Sequence, residues 1–384
     1  MEEHAMARAL SDAVTDELDD PRSGNATLHP LENIVFIAVY ATVCGADNWV
    51  AVEQYGIGKR WWFEKFLDLS EGIPSHDTFG RIFGLLAPKQ VRRCFFRWTR
   101  TLVKGFGGQI AIDGKTLRRS FEASDPQSAL HVIGAWVDEQ DVMLMGPSAD
   151  NKDEIGAAVK LLDMLEFEDT TITMDALFCQ HKIARKIIAN DADYLLRVRG
   201  NQGNLHDAIR EFFDWQLDEQ LPADQQMELD SYEQTNGGHG RIETRQLWCT
   251  DDVDWLETNR KWSGLSSIAY LKSIRETDGE IATEHRYYIC SDEEANAQQI
   301  LEWARNHWGI ENKAHWVLDV QMNEDQSRIR KNHAAENMAM LRRMAMNLLK
   351  RDDTLDVGLK NKQHRASCDH DYFLHLLSLA DENL

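Results

Sequence analysis

Apolar positions recur at helical spacing in five runs near the start of the chain, Leu31–Val43, Trp49–Tyr55, Lys59–Leu67, Ser75–Leu85 and Lys89–Lys104, punctuated by Gly72, Pro74 and Pro88. Ser75 stands where a helix N-cap is expected. From Gly107 the texture changes to short runs of strand type, Gln109–Asp113, Leu130–Val137 and Val142–Ser148, the last two joined by a polar stretch and so read as a hairpin. An amphipathic helix is expected at Asp153–Glu166, then a strand at Thr170–Asp175, a helix at Gln180–Asn190, a strand at Asp193–Arg199 and a helix at Asn204–Trp215. This order, β-β-β-α-β-α-β-α, predicts an RNase H-like mixed α/β sheet, antiparallel at first and extended by parallel strands through helical crossovers. Strand-like stretches at Arg241–Cys249, Leu265–Ile274 and Glu284–Cys290 read as a β-rich insertion. Helical spacing returns at Ala295–Glu311 and Ala334–Arg351, and a polar tail follows with one short amphipathic segment, Tyr372–Leu379.

The expected organisation is therefore an acidic disordered arm at 1–27 and an all-α N-terminal domain at 28–105. A first part of the α/β core follows at 106–215, then the insertion at 216–295, the rest of the core at 296–352 and the tail at 353–384. The longest apolar run, Ile34–Ala46, is too short to span a bilayer, and the N-terminus lacks a signal-peptide layout, so a cytoplasmic protein without a membrane partner is expected. Six singly spaced cysteines offer neither a zinc array nor a disulfide framework. The net charge of −22 argues at first against a nucleic-acid partner, since phosphate contacts need Lys and Arg. Its distribution changes that reading: residues 1–20 hold seven acidic residues against one Arg, whereas Arg81 to Arg119 holds ten basic residues against Asp113 alone.

Asp113 closes the apolar run Gln-Ile-Ala-Ile-Asp and Asp175 closes Thr-Ile-Thr-Met-Asp. In open α/β sheets the C-terminal strand edge is where ligands bind, and in the expected order these two strands are neighbours. Two adjacent carboxylates repel, and a divalent cation removes that penalty. An isolated Asp at such a place is more often a turn former or helix N-cap, and it is the pair that points to a metal. A third carboxylate is expected from a later helix: Glu311, with Asp319, Glu324 and Asp325 as rivals.

Several runs resemble one family: Ala-Ile-Asp113-Gly-Lys-Thr-Leu-Arg-Arg, Ile-Thr-Met-Asp175-Ala-Leu-Phe-Cys-Gln, Tyr-Leu-Leu-Arg-Val-Arg-Gly200-Asn-Gln, His239-Gly-Arg-Ile-Glu-Thr-Arg245 and His-Trp-Gly-Ile-Glu311-Asn-Lys-Ala-His-Trp. Together with Gly72-Ile-Pro-Ser-His-Asp-Thr-Phe-Gly-Arg-Ile-Phe83 they are similar to the H-repeat-associated, ISAs-type DDE transposases of bacterial insertion sequences, over roughly residues 28–350. The resemblance implies Asp113, Asp175 and Glu311 as catalytic and metal-binding residues. It implies two Mg²⁺ or Mn²⁺ ions, double-stranded DNA as substrate, a homodimer on DNA, and cleavage followed by strand transfer. Related transposases outside the family place Tyr seven and Arg four residues before the Glu and Lys seven after it; here those positions hold Ala304, His307 and Leu318. Candidate DNA contacts are Lys115, Arg118, Arg119, Arg199, Asn201, Gln202, Arg241, Arg245, His307, Trp308 and His315, with helix capping the competing role for Asn201 and Gln202. The alternative functions are a nuclease of the same fold that cuts without joining and a silent or domesticated relative that only binds DNA.

Overall fold

The computed structural model describes residues 10, 12–23, 27–100, 102, 107–121, 129–149, 152–165, 167–238, 240–256 and 261–379. His239 lies outside them. The chain divides into two compact units, one holding residues 1–105, 114–157 and 311–384, the other 106–113 and 158–310.

The first unit opens with helix α1 at residues 12–17, where the sequence suggested a disordered arm. Ala13, Val14 and Leu18 are buried, and its carboxylates meet the basic helix that follows later: Asp16 lies 2.7 Å from Arg97 and Glu17 lies 2.7 Å from Arg93. Helices α2 (Leu31–Val43), α3 (Trp49–Gly58), α4 (Arg60–Phe63), α5 (His76–Leu85) and α6 (Pro88–Arg100) match the five periodic runs. The Ser75 hydroxyl accepts from the Thr78 amide, as its place before α5 predicts.

Strand β1 (Gly107–Thr116) runs through both units, and the hairpin β2 (His131–Val137) and β3 (Val142–Ser148) belongs to the first. The second unit continues with α7 (Glu154–Leu162), which begins just before the division, then β4 (Glu168–Met174), α8 (His181–Ile188), β5 (Asp193–Val198) and α9 (Gly203–Gln216). Next come β6 (Asp230–Gly238), β7 (Arg241–Thr250), β8 (Ser267–Thr277), β9 (Glu280–Cys290) and α10 (Ala297–Asn306). The strand order is β3-β2-β1-β4-β5-β9-β8-β7-β6. β1 pairs with β4 and β4 with β5 in parallel, while β5 pairs antiparallel with β9. This is the expected RNase H-like mixed sheet. The β-rich insertion extends the same sheet, because β9 donates its apolar end, Tyr287 to Cys290, to the edge that β5 would otherwise expose. β6, which is mostly polar and alternates weakly, is a strand the periodicity missed.

After α10 the chain departs from the single expected helix. Residues Ile310–His315 and Val317–Gln321 are π-helical, a rare form that concentrates at functional sites. The first unit closes with α11 (Ala334–Arg351), α12 (Leu359–Cys368) and α13 (His370–Ser378). The polar tail is thus two helices. Phe373 of α13 packs edge-on against Tyr40 and Trp62, burial that offsets the polar character of the rest. α11 is buried nearly all round, and two of its asparagines bond to neighbouring elements. Asn347 donates to the Met143 carbonyl and accepts from the Met143 amide on β3, and Asn337 donates to the carbonyls of Phe83 and Leu86 at the end of α5.

Candidate active site

Ile112 of β1 is in register with Met174 of β4, so Asp113 and Asp175 follow at the same level of two adjacent parallel strands. β1 continues three residues beyond Asp113, whereas β4 ends at Met174 and Asp175 begins a short 3₁₀ turn, Ala176–Phe178. Asp175 stands at the N-cap of that turn but makes no side-chain capping bond. Its carboxylate, 43% exposed, instead lies 3.4 Å from the Arg197 guanidinium of β5.

Arg197 also reaches Glu284 at 3.3 Å, Glu284 holds Arg286 at 2.6 Å, and the Arg286 guanidinium lies 5.3 Å from the ring centre of Trp308. The Arg286 hydrogen bond keeps the Glu284 carboxyl below the ordinary carboxylate range. A ladder of charge thus runs from Asp175 to Trp308, which remains 42% exposed. Arg197 carried a readable signal, a charge inside the apolar run Leu-Leu-Arg-Val. Glu284 and Arg286 carried none beyond alternation in a strand.

Beneath this ladder lies a buried polar relay. Gln109 Nε2 donates to the Trp303 carbonyl at 2.8 Å and lies 3.2 Å from Thr173 Oγ1, and Thr173 Oγ1 is 3.0 Å from His307 Nδ1. Gln109 precedes Asp113 by four residues, Thr173 precedes Asp175 by two and His307 precedes Glu311 by four. His307, one of the candidate DNA contacts, is partly buried and its Nδ1 meets Thr173.

Asn201 and Gln202 were expected to touch DNA or cap the next helix. Neither caps it: Asn201 Nδ2 donates to the Ala176 carbonyl at 2.7 Å and Gln202 Nε2 to the Cys179 carbonyl at 3.0 Å. Both brace the turn that follows Asp175. Arg199 is exposed. Arg241 and Arg245 turn toward Glu243, with Arg245 at 2.7 Å and Arg275 at 3.6 Å as a third partner. Burial opposes charge on Glu243, but these guanidinium groups hold its carboxyl below the ordinary value.

In the first unit Glu311 pairs with His315 at 3.4 Å; the imidazole is buried and the carboxylate 49% exposed. His315, one of the candidate DNA contacts, is buried in this structure. Lys115 is likewise buried and bonds both oxygens of Asp319 at 2.6 Å, so it offers no ammonium to DNA. Burial raises the Asp319 carboxyl even against that ammonium. Glu324 is buried against Arg343 at 2.8 Å, and Asp325 lies 3.3 Å from Arg118. All three rivals of Glu311 thus face a Lys or Arg. Arg118 is 77% exposed and Arg119 partly so, which leaves both reachable from solvent.

Cys179, four residues after Asp175, is buried, and that burial pushes its thiol up to about 12. It supplies no thiolate. Oxygen donors with at most an imidazole suit hard ions of the Mg²⁺ or Mn²⁺ kind.

Comparison with known proteins gives the family. Residues 104–348 match the family model described as Transposase DDE domain, and residues 13–99 match the one described as DDE_Tnp_1-associated. The protein YbfL of Escherichia coli (strain K12) is 35% identical over 368 residues, 94% of this chain and 96% of that protein. Two further relatives carry the word transposase in their names. YncI of Escherichia coli O157:H7 is 35% identical, covering 95% of this chain and 93% of its own length. YhhI of Escherichia coli (strain K12), named also for the H repeat, is 35% identical over 91% of this chain and 93% of its own. With the family model covering well over half of its length, the chain belongs to the Transposase DDE domain family.

Proposed function

We propose that this protein cuts DNA at the ends of an insertion sequence and joins them to a target, with Asp113, Asp175 and Glu311 as the residues that hold two divalent cations. The observation that carries the reading is the parallel register of β1 and β4, which ends two apolar runs on Asp at one level. A structural explanation of Asp175 as a helix cap loses its support, since the side chain makes no capping bond. Glu311 is chosen over Asp319, Glu324 and Asp325 on the run His307-Trp-Gly-Ile-Glu311-Asn, while those three lie beside Lys115, Arg343 and Arg118. Within the first unit the Glu311 carboxylate and the His315 imidazole stand 3.4 Å apart, donors of the kind that can hold a divalent cation.

Divalent ions bound by these residues offset the charge that builds on a phosphodiester during in-line displacement. The chain's own residues prepare the reaction. Asn201 and Gln202 hold the turn after Asp175 so that its carboxylate stays at the strand edge. The relay of Gln109, Thr173 and His307 fixes the backbone just before each carboxylate. Trp308, partly exposed over Arg286, offers a face on which an unpaired base can stack. Action as a homodimer on DNA belongs to the same proposal.

The test is a nicking and strand-transfer assay in Mg²⁺ on a DNA substrate that carries the sequences flanking the gene on both sides. Asp113→Asn, Asp175→Asn and Glu311→Gln are each expected to lower nicking by roughly two orders of magnitude or more. Full activity of either Asp variant sinks the assignment. Nicked products without joined products point to the nuclease reading.

A further inference from the structure

Two hollows on the first unit share a basic lining. The larger, about 910 Å³, is bounded by the start of α3, the first turns of α5 and residues 323–334. The smaller, about 490 Å³, is lined by Arg118, Arg119, Phe121, Arg328 and Arg330. Arg328 and Arg330 line both, so the two hollows adjoin the same segment and are taken together as one basic groove.

The groove is shaped by small residues. A side chain at Gly80 would come within 3.1 Å of Trp49, and one at Gly84 within 3.3 Å of the Lys331 carbonyl. These two glycines of α5 let the indole and the 328–333 segment lie close, with the His333 amide donating to the Gly84 carbonyl. Trp49 stacks on Phe83 at 4.9 Å and lines the larger hollow together with Val50 and Ile329. Arg330 is held ready, its Nε donating to the Arg119 carbonyl at 2.8 Å and its guanidinium lying 4.6 Å from the centre of the Phe121 ring.

Charge is reversed here relative to the whole chain. Arg81, Arg328, Arg330 and Lys331 line the larger hollow and Arg119 the smaller, and among the described residues none of the five has a carboxylate within 4.0 Å. The acidic residues of the lining are Asp47 and Asp77; Asp47 accepts from Asn48 and Asn323, and Asp77 lies 3.7 Å from His76. Uncompensated cations in a chain of net charge −22 mark a place for an anion. An apolar floor beside them suits a base more than a bare phosphate.

We propose that this groove seats an unstacked nucleotide of DNA, its base against Trp49, Val50 and Ile329 and its flanking phosphates on Arg81, Arg328, Arg330 and Lys331. The inference rests on the DNA-processing reading and names a second place where DNA is gripped, made in part by the motif His76-Asp-Thr-Phe-Gly-Arg81. A base face stacked on an indole tolerates any sequence, and each phosphate met by a cation adds to the salt dependence of binding.

The test uses the full-length protein and a fluorescent duplex of about 30 base pairs, blunt or with a short single-stranded tail, in KCl from about 50 to 300 mM. The wild type is expected to prefer the tailed probe. Arg328→Gln with Lys331→Gln removes two exposed cations and is expected to reduce the slope of log affinity against log salt by about 1.4. Val50→Glu, at a 53% exposed position, is expected to abolish the preference for the tail. Unchanged slope and preference in variants with wild-type melting curves overturn the proposal. So does a change confined to the oligomeric state, which would make the groove a contact between copies. A wild type that binds neither probe at the lowest salt sinks the DNA-processing reading itself. A wild type that binds and nicks while the groove variants do the same sinks only the groove.

Discussion

Asp319, Glu324 and Asp325 stand within fifteen residues of Glu311 in sequence, and each lies beside a cation, Lys115, Arg343 or Arg118. Glu324 is the clearest case. Burial works against its charge, yet the Arg343 guanidinium at 2.8 Å holds its carboxyl below the ordinary value of 4.5. A depressed folded value means the stabilisation is present above about 4.5 and is lost as pH falls through the lower folded value. Glu324→Gln leaves a buried guanidinium without its counter-charge and is expected to cost about 3 to 5 kcal/mol in urea unfolding at pH 7. Its stability should also fall less steeply below pH 4.5 than that of the wild type. A variant as stable as wild type would mean that Arg343 finds another partner.

At the scale of elements, one tie connects a core strand to the segment that leads to Glu311. Thr173 of β4, 1% exposed, meets both Gln109 of β1 and His307 at the end of α10. Thr173→Val preserves shape and removes the hydroxyl that Gln109 and His307 both meet, at a cost of about 0.5 to 1.5 kcal/mol per hydrogen bond. Nicking is expected to fall more than the loss of folded protein accounts for, measured at a temperature where circular dichroism shows the variant native. Activity that merely tracks the folded fraction would make the relay structural only. The α1–α6 contact bears on a different point. Arg93 and Arg97 belong to the basic stretch that the sequence offers to DNA, but Glu17 and Asp16 already face them. Such exposed pairs contribute only about 0 to 1 kcal/mol each, so they redirect the search for a DNA contact more than they hold the helix.

For the whole molecule, charge and metal act together. Crowded carboxylates destabilise a fold that lacks its cations, and a cation that binds only the native state stabilises it by mass action. Adding Mg²⁺ to chelator-treated protein is therefore expected to raise the melting midpoint by about 2 to 5 °C, the effect of a few kcal/mol in a protein of this size. Asp175→Asn should abolish most of that rise, as followed by calorimetry. An equal rise in the variant would place the ion elsewhere. Among the described residues no helix is long and apolar enough to cross a membrane.

Periodicity alone determined the five N-terminal helices, the β2–β3 hairpin and the two apolar runs that close on Asp113 and Asp175, because such signals are local: a side chain's polarity and its neighbours at fixed spacing. The family motifs added Glu311 by resemblance. Only tertiary structure decided which charges are available. Lys115 and Asp319 lie far apart in sequence, as do Arg118 and Asp325, so nothing local announces that each pair neutralises itself. The same holds for the basic groove, where Arg81, Arg119 and Arg330 come from three distant segments, and for the tail, whose helices fold because Tyr40 and Trp62 wait for Phe373. Charge pairing and aromatic burial act through space, and the chain places its partners only once it has folded.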